Sequence, residues 1–127
     1  MGVLVDTQAF IWFFEDSSRL PASVRAYMEK SSRLVVSVAS FWEITIKASL
    51  GKLVIPESIA GVIDKALANG FKILPIERNH LVTLAALDFI HRDPFDRIII
   101  AQAISEGMPL VSSDDVFRQY PINSVWK

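Results

Sequence analysis

Val3-Leu4-Val5-Asp6-Thr7-Gln8-Ala9-Phe10-Ile11-Trp12-Phe13-Phe14-Glu15 carries the decision about the fold. Val3-Leu4-Val5 is apolar at every position and β-branched in character, which suits a strand buried on both faces, as in a parallel sheet. The run stops at a carboxylate, Asp6. Thr7 to Glu15 then takes up helical spacing, with Phe10, Ile11, Phe13 and Phe14 on the apolar side. Trp12-Phe13-Phe14 reads as core or as a dimer contact, because aromatic side chains dominate burial in both. The unit is therefore a strand, an acid at its carboxyl end, and a helix.

The same grammar repeats along the chain. Pro21 to Glu29 reads as a helix that turns Val24, Tyr27 and Met28 inward. Leu34-Val35-Val36 is a second strand, and Ser37 or Ser40 caps the helix of about Ala39 to Leu50, closed by Gly51. Lys52 to Pro56 is a connector. Glu57 to Asn69 is amphipathic, with Ile59, Val62, Ile63, Ala66 and Leu67 on one side, and Asn69-Gly70 stops it. Phe71 to Ile76 is a third strand, and His80 to Phe89 a helix with Leu81, Leu84, Ala85 and Ala86 inward. Asp93-Pro94 starts the next helix, with Asp93 as N-cap and Pro94 at the first helical position. Asp96 lies in its first turn, Ile99, Ile100, Ala103 and Ile104 form its body, and Glu106-Gly107 ends it. Pro109 to Ser112 is a fourth strand running into Ser113-Asp114-Asp115. A short helix, Val116 to Tyr120, precedes a last strand near Asn123 to Val125.

Strands alternating with helices imply an α/β fold: a three-layer α/β/α sandwich around a parallel sheet of about five strands. The 127 residues suit one domain, 1–127, with a single core, and no repeat or linker divides them. Hydrophobic residues make up 51% of the chain, yet the longest apolar run, Ala9 to Phe14, has six residues, far short of the roughly 20 a membrane helix needs. The N-terminal residues show no basic leader or cleavage signature, so a secretory signal is not expected. With no cysteine, disulfides, thiolate metal sites and cysteine nucleophiles are excluded, and a cytoplasmic setting fits. The net charge of −1 speaks against a nucleic-acid binder that works through a broad basic face.

Ligands of parallel α/β sheets bind outside the carboxyl ends of the strands, where the strand order switches. Asp6 and Asp114 end strands there, Glu43 lies about one turn into the helix after strand two, and Asp96 starts a helix beside the same edge. Carboxylates brought that close repel one another unless a cation sits among them. An all-oxygen donor set selects Mg²⁺ or Mn²⁺, one or two ions, and such ions are completed by substrate phosphates. Phosphodiester hydrolysis by activated water follows from that chemistry. Each acid also has a purely structural reading. Asp96 suits the helix dipole, Glu43 can pair with Lys47 one turn on, and Asp114 can cap the short helix. Asp6 is the hardest to dismiss, since a carboxylate ending a buried strand needs a partner. Asp93 reads as a cap rather than a ligand, Asp115 as solvated, and His91 as structural or exposed.

Leu4-Val5-Asp6-Thr7, Ser40-Phe41-Trp42-Glu43-Ile44-Thr45-Ile46-Lys47 with Gly51-Lys52-Leu53, Asp93-Pro94-Phe95-Asp96-Arg97 with Ala101-Gln102-Ala103, and Leu110-Val111-Ser112-Ser113-Asp114 together resemble the PIN-domain family, in the family's order and over nearly the whole chain. The nearest subgroup is the VapC-type toxins of bacterial type II toxin–antitoxin pairs. The resemblance implies that Asp6, Glu43, Asp96 and Asp114 form an acidic metal-binding and catalytic quartet supported by Ser112 and Thr7. It also implies a Mg²⁺-dependent endoribonuclease, a VapB-type antitoxin partner and a homodimer. Two departures stand out: Gln8 occupies a place where relatives often have His, and Ser112 one where Thr is commoner. Arg97 and Lys47 are candidate contacts to the scissile RNA backbone, each equally suited to pairing with a neighbouring acid. With two histidines in the chain, His80 and His91, a two-histidine acid–base mechanism is poorly supported, which leaves water attack yielding 5′-phosphate and 3′-hydroxyl ends. The competing readings are another acidic-pocket phosphohydrolase and a non-catalytic PIN-like binding module. A dehalogenase-type phosphatase would want an acid where Gln8 stands.

Overall fold

The structure, a computed structural model, describes residues 2–126. In chain order the elements are β1 (Val3–Val5), α1 (Thr7–Phe14), α2 (Ala22–Lys30), β2 (Leu34–Ser37), α3 (Val38–Ser49), α4 (Ile59–Ala68), β3 (Lys72–Leu74), α5 (Arg78–Ala86), α6 (Pro94–Glu106), β4 (Leu110–Val111), a short 3₁₀ helix (Asp115–Gln119) and β5 (Ser124–Val125). The strands form one parallel sheet in the order β3-β2-β1-β4-β5. The chain winds outward from β1 to β3 and then returns to the other side of β1. The switch point therefore lies between β1 and β4, and the carboxyl ends of those strands open onto it.

Alternation along each strand divides the apolar residues between two faces. Val3, Val5, Val36 and Val111 pack with Phe10, Val24, Met28 and Phe71 on one face. Leu4, Val35 and Leu110 pack with Ile99, Ile100, Ala103 and Phe117 on the other. Helices α1, α2 and α4 cover the first face, and α5, α6 and the 3₁₀ helix the second. Helix α3 serves both, Phe41 and Ile44 entering the first cluster and Ala39 the second. The expected α/β sandwich is what the chain adopts. Phe10 anchors an aromatic nest, with ring centroids 5.0 Å from Phe14, 5.5 Å from Phe41 and 5.4 Å from Phe71. Phe13 and Phe14 join that nest and Trp12 packs on Trp126, so this aromatic run lies half-buried at the margin of the core.

Inward assignments shift on three helices. On α2 the buried pair is Val24 and Met28, one turn apart, which leaves Tyr27 at the margin and exposed. On α4, Ser58 accepts the Gly61 N–H and starts the helix at Ile59 rather than Glu57, and Leu67 faces solvent. Helix α5 begins at Arg78 and ends at Ala86, earlier than the expected His80 to Phe89. Its inward stripe is His80, Leu84 and, just past its end, Leu87, so Leu81, Ala85 and Ala86, all expected inward, are exposed. A fully buried histidine is tolerated there because both ring nitrogens have partners. Nδ1 accepts the Glu77 N–H at 3.0 Å, and Nε2 meets Glu106 Oε2 at 2.7 Å. Helix α6 keeps its expected ends. Asp93 Oδ1 accepts the N–H groups of Phe95 and Asp96, and Gly107 closes the helix in the left-handed conformation at φ 66°. Among the described residues, no helix is long and apolar enough to cross a membrane.

Candidate metal centre and active site

Helix starts place Asp6, Asp96 and Asp114, whereas Glu43 is carried further along a helix. Asp6 directly follows β1, where its N–H donates to the Val111 carbonyl and continues the β1–β4 ladder. Its Oδ1 accepts the Ala9 N–H at 2.8 Å and so caps α1. Asp114 follows β4 and caps the 3₁₀ helix, Oδ1 accepting from Val116 N–H at 3.0 Å. Asp96 sits at the third position of α6, set there by the Asp93 cap. Glu43 lies on the second turn of α3, a helix capped by Ser37 rather than Ser40. The Ser40 hydroxyl instead accepts a buried hydrogen bond from Thr7 Oγ1 at 2.9 Å, which ties the starts of α1 and α3 together. Ser112 is buried behind the edge of β4, and its Oγ accepts the Asp114 N–H at 3.1 Å, shaping the turn that delivers that acid.

All four carboxylates line one crevice of about 430 Å³ at the switch point, together with Thr7, Lys47, Lys52 and Asp93. Burial decides its electrostatics. It pushes the Asp6 carboxyl up to about 7. The charges of Asp96 and Glu43 add to the rise, and the Ala9 amide and Ser112 hydroxyl oppose it. Burial likewise raises Asp96 to about 6, with Asp93 and Glu43 adding and His91 opposing. Lys47 Nζ contacts Glu43 Oε2 at 2.7 Å, and that hydrogen bond pushes the ammonium up. The other Glu43 oxygen, Oε1, is buried with no hydrogen-bond partner among the described residues. A buried carboxylate oxygen left unpaired beside two carboxyls pushed toward neutrality is a site with surplus negative charge and spare oxygen donors. Those residues fit a hard divalent cation.

Lys47 stands on the crevice wall. Arg97 turns away from it. Its guanidinium donates to the carbonyl of Asp88 at 3.0 Å, reaches those of His91 and Leu87 at 3.5 Å, and stacks 4.6 Å above the Phe89 ring. Among the described residues, Arg97 thus pairs with no acid, and it does not line the crevice. Lys52 also lines the crevice; its block, Gly51-Lys52-Leu53, belongs to the resemblance, but no spacing gives it a place at the site, and the turn at Gly51 brings it there. His91 is a second residue that sequence reasoning misses: its Nε2 lies 2.8 Å from Asp96 Oδ2. Ligand atoms of His91, Asp96 and Asp114 lie within 4.8 Å of one another.

An α/β fold with an acid-lined crevice at its switch point defines a class in which a divalent ion and a phosphate ester suit the same cavity. Residues 3–123 match the PIN domain family, and the chain belongs to that family. It is 26% identical to Ribonuclease VapC22 of Mycobacterium tuberculosis over 119 residues, 93% of this chain and 91% of the relative. Among solved structures it resembles VapBC2 of Rickettsia felis bound to a promoter DNA fragment, at a TM-score of 0.74, 15% identity and full coverage of both chains (100% each). VapBC-1 of nontypeable Haemophilus influenzae gives a TM-score of 0.71 at 16% identity, covering 98% of this chain and 97% of that one.

Proposed function

We propose that this chain is a Mg²⁺- or Mn²⁺-dependent endoribonuclease, the toxin of a type II toxin–antitoxin pair, that hydrolyses RNA phosphodiesters. The observation that carries the reading is the convergence of Asp6, Glu43, Asp96 and Asp114 on one crevice with a Glu43 oxygen buried and unpaired. The four acids would hold the cation. When bound, it lowers the pKa of water at neutral pH and neutralises charge that develops on the phosphodiester. The protein residues do the rest. Asp6 and Asp114 are immobilised by their caps, Ser112 and Thr7 brace the loops that carry them, and Lys47 and Lys52 give the crevice wall local positive charge for a phosphate backbone. Together with the bound cation, that local charge would offset the acids of the crevice and suit an RNA backbone on a chain whose net charge is −1. The whole chain, 1–127, would act as a single PIN domain in the cytoplasm.

Beside the crevice runs an apolar groove lined by Phe10, Ile11, Phe14, Ile44, Leu53 and Val62, and Ile11 and Leu53 border both. It supports a VapB-type antitoxin as partner, with an apolar segment for the groove and a cationic side chain for the acids. Val38 and Trp42, exposed on α3, support a homodimer, which light scattering would check.

The test is incubation of the purified chain with structured RNA, with Mg²⁺, with Mn²⁺ and with EDTA. Cleavage is expected only with metal, leaving 5′-phosphate ends, and is expected to vanish in Asp6→Ala and Asp96→Ala. Cleavage in EDTA, or cleavage unchanged in either variant, overturns the proposal.

A further inference from the structure

The connector between α5 and α6, residues 87–93, has no helix or strand of its own, yet it is held at several points. Arg97 on α6 grips it from outside through three carbonyls and the Phe89 ring. From the β4 side, Tyr120 Oη accepts the His91 N–H at 2.8 Å, and the Phe117 ring meets the His91 imidazole with centroids 6.3 Å apart. The result is a fixed imidazole. Its Nε2 lies 2.8 Å from Asp96 Oδ2, with both side chains about three-quarters buried. His91 does not line the crevice, whereas Asp96 does; a ring nitrogen comes within 4.8 Å of carboxylate oxygens of both Asp96 and Asp114, and the side-chain bond it makes is to Asp96 Oδ2. Among the described residues, no protein hydrogen bond reaches Asp96 Oδ1. A carboxylate with one oxygen tied to a rigid donor has its other oxygen aimed, and loss of an outer partner of this kind typically weakens metal affinity by about 10–100-fold.

We infer that His91 is a positioning residue for the metal centre: it donates Nε2–H to Asp96 Oδ2, turns Oδ1 toward the crevice, and is itself held by Tyr120, Phe117 and the carbonyls that Arg97 grips. This rests on the reading of the acids as cation ligands. The arrangement assigns Arg97 an indirect part as well, since the residue next to Asp96 on α6 holds the loop that orients Asp96.

The experiment is Mn²⁺ binding to the full chain, followed by calorimetry and by loss of the free-ion electron paramagnetic resonance signal, with folding checked by circular dichroism. His91→Phe keeps a ring against Phe117 and removes the donor, whereas His91→Gln retains a donor. The expected result is an Mn²⁺ affinity about 10–100-fold weaker in His91→Phe, largely restored in His91→Gln, with both variants folded. Affinity within twofold of wild type in a folded His91→Phe overturns the role, and so does His91→Gln binding no better than His91→Phe. Nitrogen-14 coupling in the pulsed spectrum of bound Mn²⁺ overturns it too, because it would make His91 a ligand. If wild type binds no Mn²⁺, the metal reading itself fails, and that is seen before any variant is made.

Discussion

Asp6→Asn should make the metal-free protein more stable at pH 8, even though it removes a central acid. Asp6 is buried, and its carboxyl is raised from 3.8 to about 7, so the ionised form is disfavoured by burial inside the fold. A raised acid pKa means that the native state binds more protons than the unfolded chain between those two values. Stability therefore falls as pH rises through that window, is unaffected by Asp6 below it, and carries the full penalty above it. At 1.36 kcal/mol per unit the penalty is at most about 4 kcal/mol, and relaxation of the crevice brings the expected value to about 2–3. Asparagine caps a helix as well as aspartate does, so the bond to the Ala9 N–H survives the change. Thermal and urea unfolding in EDTA from pH 5 to 8.5 is the assay. Across that range wild type should lose about 1 kcal/mol more than Asp6→Asn, the rest of the penalty having accrued below pH 5, and the variant should melt roughly 8–10 °C higher at pH 8. Adding Mn²⁺ should stabilise wild type by mass action and leave the variant largely unmoved. Wild-type stability that rises with pH, or an Asn variant less stable than wild type at pH 8 in EDTA, would show instead that Asp6 is already compensated by other groups of the protein.

Other perturbations test the remaining parts. Lys47→Met leaves Glu43 buried without its ammonium; because Lys47 is half exposed, the loss is expected to be about 1–2 kcal/mol in EDTA by urea unfolding, partly recovered with Mn²⁺. His80→Ala strips partners from Glu77 N–H and Glu106 and opens a cavity between α5 and α6, for a loss of about 3 kcal/mol, with metal-dependent cleavage retained at low temperature. Gly107→Ala forces a side chain into a left-handed C-cap at φ 66° and should cost about 1 kcal/mol in thermal unfolding with no change in Mn²⁺ affinity.

Most of the architecture is legible in the residues because it rests on local rules. Val3-Leu4-Val5 and Leu34-Val35-Val36 are apolar throughout, so both faces of their strands had to be covered. Asp93-Pro94 and Gly107 mark α6 by capping chemistry alone. The meeting of Asp6 and Asp114 is a general property of parallel sheets, whose strands deliver the residues beyond their carboxyl ends to one edge, whereas Glu43 and Asp96 reach that edge on helices α3 and α6. The hidden features depend on tertiary partners. His80 is polar and reads as surface, yet Glu77 and Glu106 let it take the inward place expected for Leu81. Arg97 is written next to Asp96 and looks like a substrate contact. Only the path of residues 87–93 shows that its guanidinium is spent on carbonyls. Lys52 reaches the crevice through a turn whose direction no periodicity encodes.

Asp6 and Asp114 each give one oxygen to a backbone N–H at a helix start, which leaves the second oxygen with almost no rotational freedom to lose. Binding a cation to such arms requires little ordering, so more of the interaction is kept as affinity. The arrangement also limits exchange between the two acidic residue types. Lengthening Asp6 or Asp114 to Glu would misplace the capping oxygen or overshoot the crevice, whereas Glu43, which caps nothing, has reach determined by α3 alone. The length of each acid is thus tied to the backbone that holds it, and an Asp-to-Glu change that preserves charge would still undo the preorganisation.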